Sequence, residues 1–304
     1  MYYHNYTYAD TLAASARVNW QVEDIINDGK RLDFSRRFMP EALARVEPLT
    51  MLNDDERRIL NQVRGNAYLG IFGLVEEFIL PFVMDHARPQ LDVDDHQTRA
   101  MLQFATEEAK HIHLFKRFAA AFEAGFGTRC DLIGPPSAVA EFVFGHPPLA
   151  VALTILHIEW MTQRHYVESV RDDLDLDPLF RSLLRHHWME EAQHAKLDTL
   201  MVETIAAGLD EAGIEAGVQG YAAIGAFLDE GLRQQTVFDL DAFERASGRK
   251  LEWPEREEIA EQQHQANRWT YLGSGMSHPN FLATVGHLSP AAREQVEEMA
   301  PSFC

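Results

Sequence analysis

Along the 304-residue chain, apolar positions recur every three to four residues over long stretches, and alternation of period two is scarce. The pattern predicts helices at about 53–86, 92–125, 147–172, 177–207, 213–245 and 254–272, with a short one near 289–299. Proline and glycine punctuate them: "GPP" at 134–136, "HPP" at 146–148, "WP" at 253–254 and "GSG" at 273–275. Asp177 before Pro178 and Ser289 before Pro290 read as N-caps followed by a first-turn proline. The first 50 or so residues are expected to wrap the helices. No linker is long or polar enough to separate a second domain from the first. The expectation is one all-α domain over 1–304, a bundle at about 55–210 with further C-terminal helices at about 213–300.

Steps of three and four trace one face of each helix. The first four long helices give Leu69, Phe72, Glu76, Ile79, Val83; then Met101, Phe104, Glu108, His111, Phe115, Phe118, Phe122; then Ala152, Ile155, Glu159, Thr162, Tyr166; then Phe180, Leu184, His187, Glu191, His194, Asp198, Met201, Ile205. Each apolar stripe carries a carboxylate at its middle. An isolated ionised carboxylate is very costly to bury unless it is paired or binds a metal. Four such interruptions call for a common explanation.

The same interruption is written twice, as "EEAKH" at 107–111 and "EEAQH" at 190–194. Glu76 to Glu108 spans 32 residues, and so does Glu159 to Glu191. The chain therefore repeats a helix pair: a Glu, then another Glu with a His three residues beyond it. Glu and His three apart project the same way, so both can reach one ion. Carboxylates with imidazoles suit iron or manganese. Glu77 competes with Glu76, because its own face carries Gly70, Gly73, Leu80 and Met84; the equal spacing favours Glu76. Glu107 and Glu190 lie off the seam centre and read as supports for the ligands or as surface.

Net charge is −20, from 47 Asp+Glu against 27 Lys+Arg, which excludes a nucleic-acid partner. Two distant cysteines, Cys130 and Cys304, build no disulfide framework or thiolate metal site. There is no uninterrupted apolar run of about 18 residues and no leader-like N-terminus, so the expectation is a soluble cytoplasmic protein with no membrane partner.

The four-seam constellation resembles the ferritin-like di-iron carboxylate proteins, in which two helices give one Glu each and two give Glu-x-x-His. The resemblance covers about residues 60–205 and implies Glu76, Glu108, His111, Glu159, Glu191 and His194 as ligands of two iron ions, with manganese an option at either. "HWMEEAQH" adds His187 four residues before Glu191. That third histidine is similar to the arylamine (4-aminobenzoate) N-oxygenase family, and "NWQVEDI" at 19–25 looks like its Trp-containing lead-in. This resemblance implies His187 as a seventh ligand, a homodimer, dioxygen and an electron donor as partners, and oxidation of a small amine to hydroxylamine and on to nitro. The competing functions are a ferritin-like iron-binding or iron-oxidising protein, and an oxidase of a fatty or aldehyde substrate.

Around the ligands, Asp198 is expected to accept an imidazole N–H or to pair with Lys196 or Arg185, and Tyr166 is either a redox or substrate residue or core. His86, His113, His157, His165 and His186 fall outside the ligand layer. Small residues on the third seam, Ala152 and Thr162, hint at a pocket that the segment 213–304, with His264, Arg268 and His278, would close.

Overall fold

The computed structural model describes residues 3–91 and 95–304. Three short helices come first: α1 (Tyr8–Ser15), α2 (Val22–Ile25) and α3 (Glu41–Ala44). The bundle follows as α4 (Asp54–Ala87), α5 (Asp95–Phe126), α6 (Pro136–Phe144), α7 (Pro148–Arg164) and α8 (Pro178–Ala206). The C-terminal region is α9 (Glu211–Ser247), α10 (Trp253–Arg268), α11 (Ser274–Met276), α12 (Pro279–Leu288) and α13 (Pro290–Met299). No strand occurs among the described residues, only an isolated bridge between Arg37 and Leu176. The expected start of the second long helix, 92–94, lies outside the described residues.

The two halves of the sequence repeat are two helical hairpins, α4 with α5 and α7 with α8. They face each other with α5 against α8. Helix α9 lies on α4 and α7, whereas α1 lies on α5 and α8. One 18-residue window of α4 has mean hydropathy 1.7, apolar enough to cross a membrane, yet 67% of it is buried inside the protein. That apolar character is used against neighbouring helices.

Caps set the helix boundaries. Asn53 and Glu56 form a reciprocal capping box at the start of α4. Asp177 accepts from the Phe180 N–H at 2.6 Å and starts α8 as its sequence predicts, and it also accepts from the Asp33 N–H at 2.9 Å. The N-terminal segment does wrap the bundle, and its attachment is polar. Asn61 on α4 accepts from the N–H groups of Phe38 and Met39 at 2.8 and 3.0 Å and donates to the Met39 carbonyl at 2.8 Å. Gly65 lets this strap come close, because a Cβ there would lie 2.8 Å from Phe38 Cβ.

Two expected helices are not α-helical throughout. The third continues past Arg164 as a π-helical turn, His165–Val170, and α10 continues as another, Trp269–Gly273. Such turns are frequent at functional sites. The pattern missed α6 and α12. Each is short and opens with a proline in its first turn, Pro136 and Pro279, where proline reads as a separator.

Candidate metal centre

The four mid-stripe carboxylates meet in the middle of the bundle. Glu76 comes from α4, Glu108 and His111 from α5, Glu159 from α7, and His187, Glu191 and His194 from α8. All seven are at most 3% exposed. Glu77 points outward instead and pairs with Lys116 at 3.0 Å, whereas Glu76 faces the chamber.

Glu191 sits at the centre. Its Oε1 is 3.0 Å from His111 Nδ1 and 2.6 Å from His187 Nε2, while its Oε2 is 3.0 Å from His194 Nδ1. Glu108 also spans the two halves, with Oε1 2.9 Å from His194 Nδ1 and Oε2 3.9 Å from His111 Nδ1. Glu76 Oε1 is 3.0 Å from His187 Nε2 and 3.8 Å from His111 Nδ1. Two four-residue groups result, each with its ligand atoms within 4.8 Å of one another: Glu76, His111, His187 and Glu191, and Glu108, His111, Glu191 and His194. Glu159 is in the same chamber, buried beside Glu191, but belongs to neither group.

The donor set fits a pair of cations. Glu76 Oε2, Glu108 Oε2 and Glu159 Oε2 are buried without a hydrogen-bond partner, and the close approaches of Glu108 Oε1 to His194 and of His111 Nδ1 to Glu191 lack hydrogen-bond geometry. Buried polar atoms are normally paired, so a cluster of orphans needs an explanation. Burial and the neighbouring Glu108 push the Glu76 carboxyl up to about 8. Burial, with Glu191 beside it, holds Glu159 well above the usual carboxylate range. Burial opposes charge on the imidazoles, but Glu191 and the other carboxylates outweigh it, so His111 and His194 are raised well above the ordinary value and His187 to about 8. Burial also opposes charge on Glu191, yet His187, His194 and His111 hold it well below the normal range. The protons retained by this cluster do the neutralising that metal ions would otherwise do.

The first Glu of each pentapeptide serves the other half. His111 donates its Nε2–H to Glu190 at 2.8 Å, and His194 donates its Nε2–H to Glu107 at 2.8 Å. These bonds leave Nδ1 of each ring facing the carboxylates, as a carboxylate–imidazole–metal triad requires. The two supports differ in charge. Glu190 receives the Lys110 ammonium, which lies 3.9 Å from the centre of the Trp20 ring. Glu107 receives only neutral donors, Gln103 at 2.9 Å and Ser15 at 3.5 Å. Trp20, from the "NWQVEDI" segment, stacks over His111 with ring centroids 5.9 Å apart.

Asp198 departs from its expected role. It is fully buried, but both oxygens lack hydrogen-bond partners and it pairs with neither Lys196 nor Arg185. Glu107 already occupies the His194 N–H, and burial pushes the Asp198 carboxyl far up, toward its neutral form. Tyr166 stacks on Trp188, centroids 4.3 Å apart, and has no hydrogen bond or ring contact with the seven. His157 and His165 are core groups, bonded to the Tyr221 and Tyr68 hydroxyls respectively.

A cavity of about 520 Å³ lies beside this chamber, between α4, α7, α9 and the 132–134 loop. Phe72 and Val75 of α4 and Ile158 of α7 line it; Val75 and Ile158 directly precede Glu76 and Glu159. The Phe72 ring also touches the His187 imidazole edge-on, centroids 5.5 Å apart. The C-terminal half closes the cavity as expected, but through other residues: Phe227, Leu228 and Phe238 of α9, and Tyr271 of the second π turn. Arg268 and His264 instead hold Asp229, at 2.6 and 2.8 Å, and His278 stacks on Trp160. Ile158 and Met161, rather than Ala152 and Thr162, are the α7 residues that line it. Leu132 leans over Gly70, where a Cβ would lie 2.4 Å from Leu132 Cδ1, so a larger residue there would push the Leu132 side chain aside.

Comparison with known proteins agrees with this picture. The family model described as p-aminobenzoate N-oxygenase AurF matches residues 9–271. No curated protein sequence matches the chain. Among solved structures, it is similar to an R2-like ligand-binding oxidase with aerobically reconstituted Mn/Fe cofactor: 14% identity over 87% of this chain and 92% of that one, TM-score 0.50. Two single-residue variants of such oxidases give 13% and 16% identity, covering 87% and 88% of this chain and 93% and 94% of theirs, with TM-scores 0.49 and 0.46.

Proposed function

The chain belongs to the p-aminobenzoate N-oxygenase family, and from that premise we propose that it is a di-iron oxygenase that oxidises the nitrogen of an amine. The observation that carries this reading is the set of buried donors directly behind the Phe72, Val75 and Ile158 wall of an apolar cavity, with Glu108 and Glu191 each spanning both halves. Glu76, His111, His187 and Glu191 would hold one iron; Glu108, Glu191 and His194, with Glu159, would hold the other. Manganese at one position is the alternative. When bound, the metal pair supplies activation of dioxygen.

The chain's own residues do the rest. Glu107 and Glu190 fix the two imidazole tautomers. The apolar helix faces keep bulk water away from the donors. The cavity brings a substrate up to the Phe72 wall beside His187. In the overall reaction one oxygen atom enters an N–H bond to give a hydroxylamine, and the other leaves as water. Two electrons and two protons come from an external donor. The same reading takes the protein to be a cytoplasmic homodimer.

The test is anaerobic loading with ferrous iron, followed by dioxygen, a reductant and an arylamine. Two irons per chain and a hydroxylamine product seen by mass spectrometry are expected. Two bound irons that consume dioxygen without oxidising any amine would overturn the N-oxygenase reading.

A further inference from the structure

The cavity has a polarity that its family name does not suggest. p-Aminobenzoate carries a carboxylate, and an enzyme that takes it into an apolar pocket needs a cation or a set of N–H donors for that group. Among the described residues, no Lys, Arg or His lines this cavity, and its one charged lining residue is Glu230. Glu230 stands at the solvent end, its side chain 78% exposed, near the exposed Leu132 and Gln234. Arg233 pairs with Glu230 at 3.5 Å from outside and does not belong to the lining. A benzoate with its amine at the metal end would therefore find no cation for its carboxylate, only apolar walls and, at the solvent end, Glu230 and the exposed Gln234 amide.

Size points the same way. An apolar cavity of about 150 Å³ is enough to hold benzene. This one, at about 520 Å³, accommodates considerably more than one substituted ring. Phe72 and Tyr271 offer ring faces at the inner end, and apart from Glu230 and Gln234 the remaining side chains of the wall are apolar.

Building on the N-oxygenase reading, we propose that the substrate of this site is an uncharged amine on an apolar body longer than one benzene ring, without a free carboxylate. The amine end lies inward and the apolar body extends toward Leu132. The 132–134 loop is then the outer wall of the binding site. Gln235 holds it there, accepting from the Ile133 N–H at 3.0 Å and donating to the Asp131 carbonyl at 3.2 Å.

The experiment is calorimetric titration of the protein, with and without iron, against 4-aminobiphenyl, aniline and 4-aminobenzoate. The biphenyl is expected to bind at least tenfold more tightly than 4-aminobenzoate in both forms. Gly231→Phe, which fills the α9 wall, should abolish biphenyl binding without changing iron content; Ile133→Trp is the substitute should that variant not fold. Equal or tighter binding of 4-aminobenzoate, no binding of the biphenyl, or unchanged binding by the filled variant would each overturn the proposal. The two readings fail separately. Tight biphenyl binding without hydroxylamine formation removes the N-oxygenase function and leaves the cavity assignment. Efficient oxidation of 4-aminobenzoate does the reverse.

Discussion

Glu107 Oε2 lies 2.8 Å from Nε2 of His194, a histidine 87 residues away on the facing helix. Glu190 does the same for His111 across the same interface. The twice-written pentapeptide is thus a crossed pair: the second Glu and the His of each copy face the shared chamber, and its first Glu supports the other copy's His. The arrangement makes each half-site dependent on its partner hairpin.

Removing one crossed support should weaken metal binding without removing a ligand. Carboxylates behind a ligating histidine typically contribute about 10–100-fold in metal affinity. Glu107→Gln should lower iron affinity by that order in a competition assay with a chelator. Glu190→Gln should do the same and also leave the partly buried Lys110 without its partner, so it is expected to melt at a lower temperature than Glu107→Gln. Equal iron affinity in parent and both variants would refute the crossed-support assignment.

His187 separates the two half-sites. It faces Glu76 and Glu191 and belongs only to the group that includes Glu76. His187→Ala should leave helix content unchanged, since the bundle rests on its apolar seams. It should retain the iron on the His194 side and weaken the other, so metal analysis is expected to move from two irons per chain toward one. His194→Ala should spare the Glu76 side instead. An unchanged content of two tightly held irons in His187→Ala would make His187 a structural histidine.

The seams located these ligands because the cost of burying a charge leaves a visible gap in an apolar stripe. Glu76 was separable from Glu77 only through the repeat spacing, and the Lys116 contact of Glu77 agrees with it. Periodicity along one helix cannot say which atom a side chain meets across the bundle. That is why Asp198, on the seam, was expected to hold an imidazole, whereas Glu107 and Glu190, one position off it, do so. The pocket hinted at by the third seam was placed on the wrong residues for a similar reason. Its walls are ordinary core residues of α4, α7 and α9, and only their three-dimensional juxtaposition leaves a space. The α6 and α12 helices are too short for their period to stand out between prolines.

The N-terminal strap should depend strongly on Asn61, which with Gln62 and Asp177 anchors its backbone. Asn61 is fully buried and satisfies three backbone groups of Phe38 and Met39. Leaving a buried polar group unpaired costs about 1–3 kcal/mol. Asn61→Ala is therefore expected to destabilise the protein by roughly 3 kcal/mol or more in denaturant unfolding. Iron content should stay near parental, because no ligand comes from the strap. A loss below about 0.5 kcal/mol, the range of ordinary surface substitutions, would mean that the strap is held by its other contacts, those of Gln62 and Asp177 among them, and not by Asn61.

The pH dependence of stability should differ with and without metal. In the metal-free protein His187 is raised from 6.5 to about 8, and Glu76 from 4.5 to about 8. The folded state thus binds more protons than the unfolded chain between those limits, and stability falls as pH rises through about 8. His111 and His194, raised well above the ordinary imidazole value, act in the same sense. Glu191, held well below its ordinary value, is ionised in both states over this range and adds no slope. Metal ions bind the deprotonated ligands and release these protons, so their affinity rises over the same interval. Melting temperatures measured from pH 6.5 to 9 should therefore fall for the metal-free protein, while the gap to the iron-loaded protein widens. A metal-free melting temperature that rises across this window would contradict the proton-filled cluster, and a constant gap would mean that the added iron does not sit on these histidines.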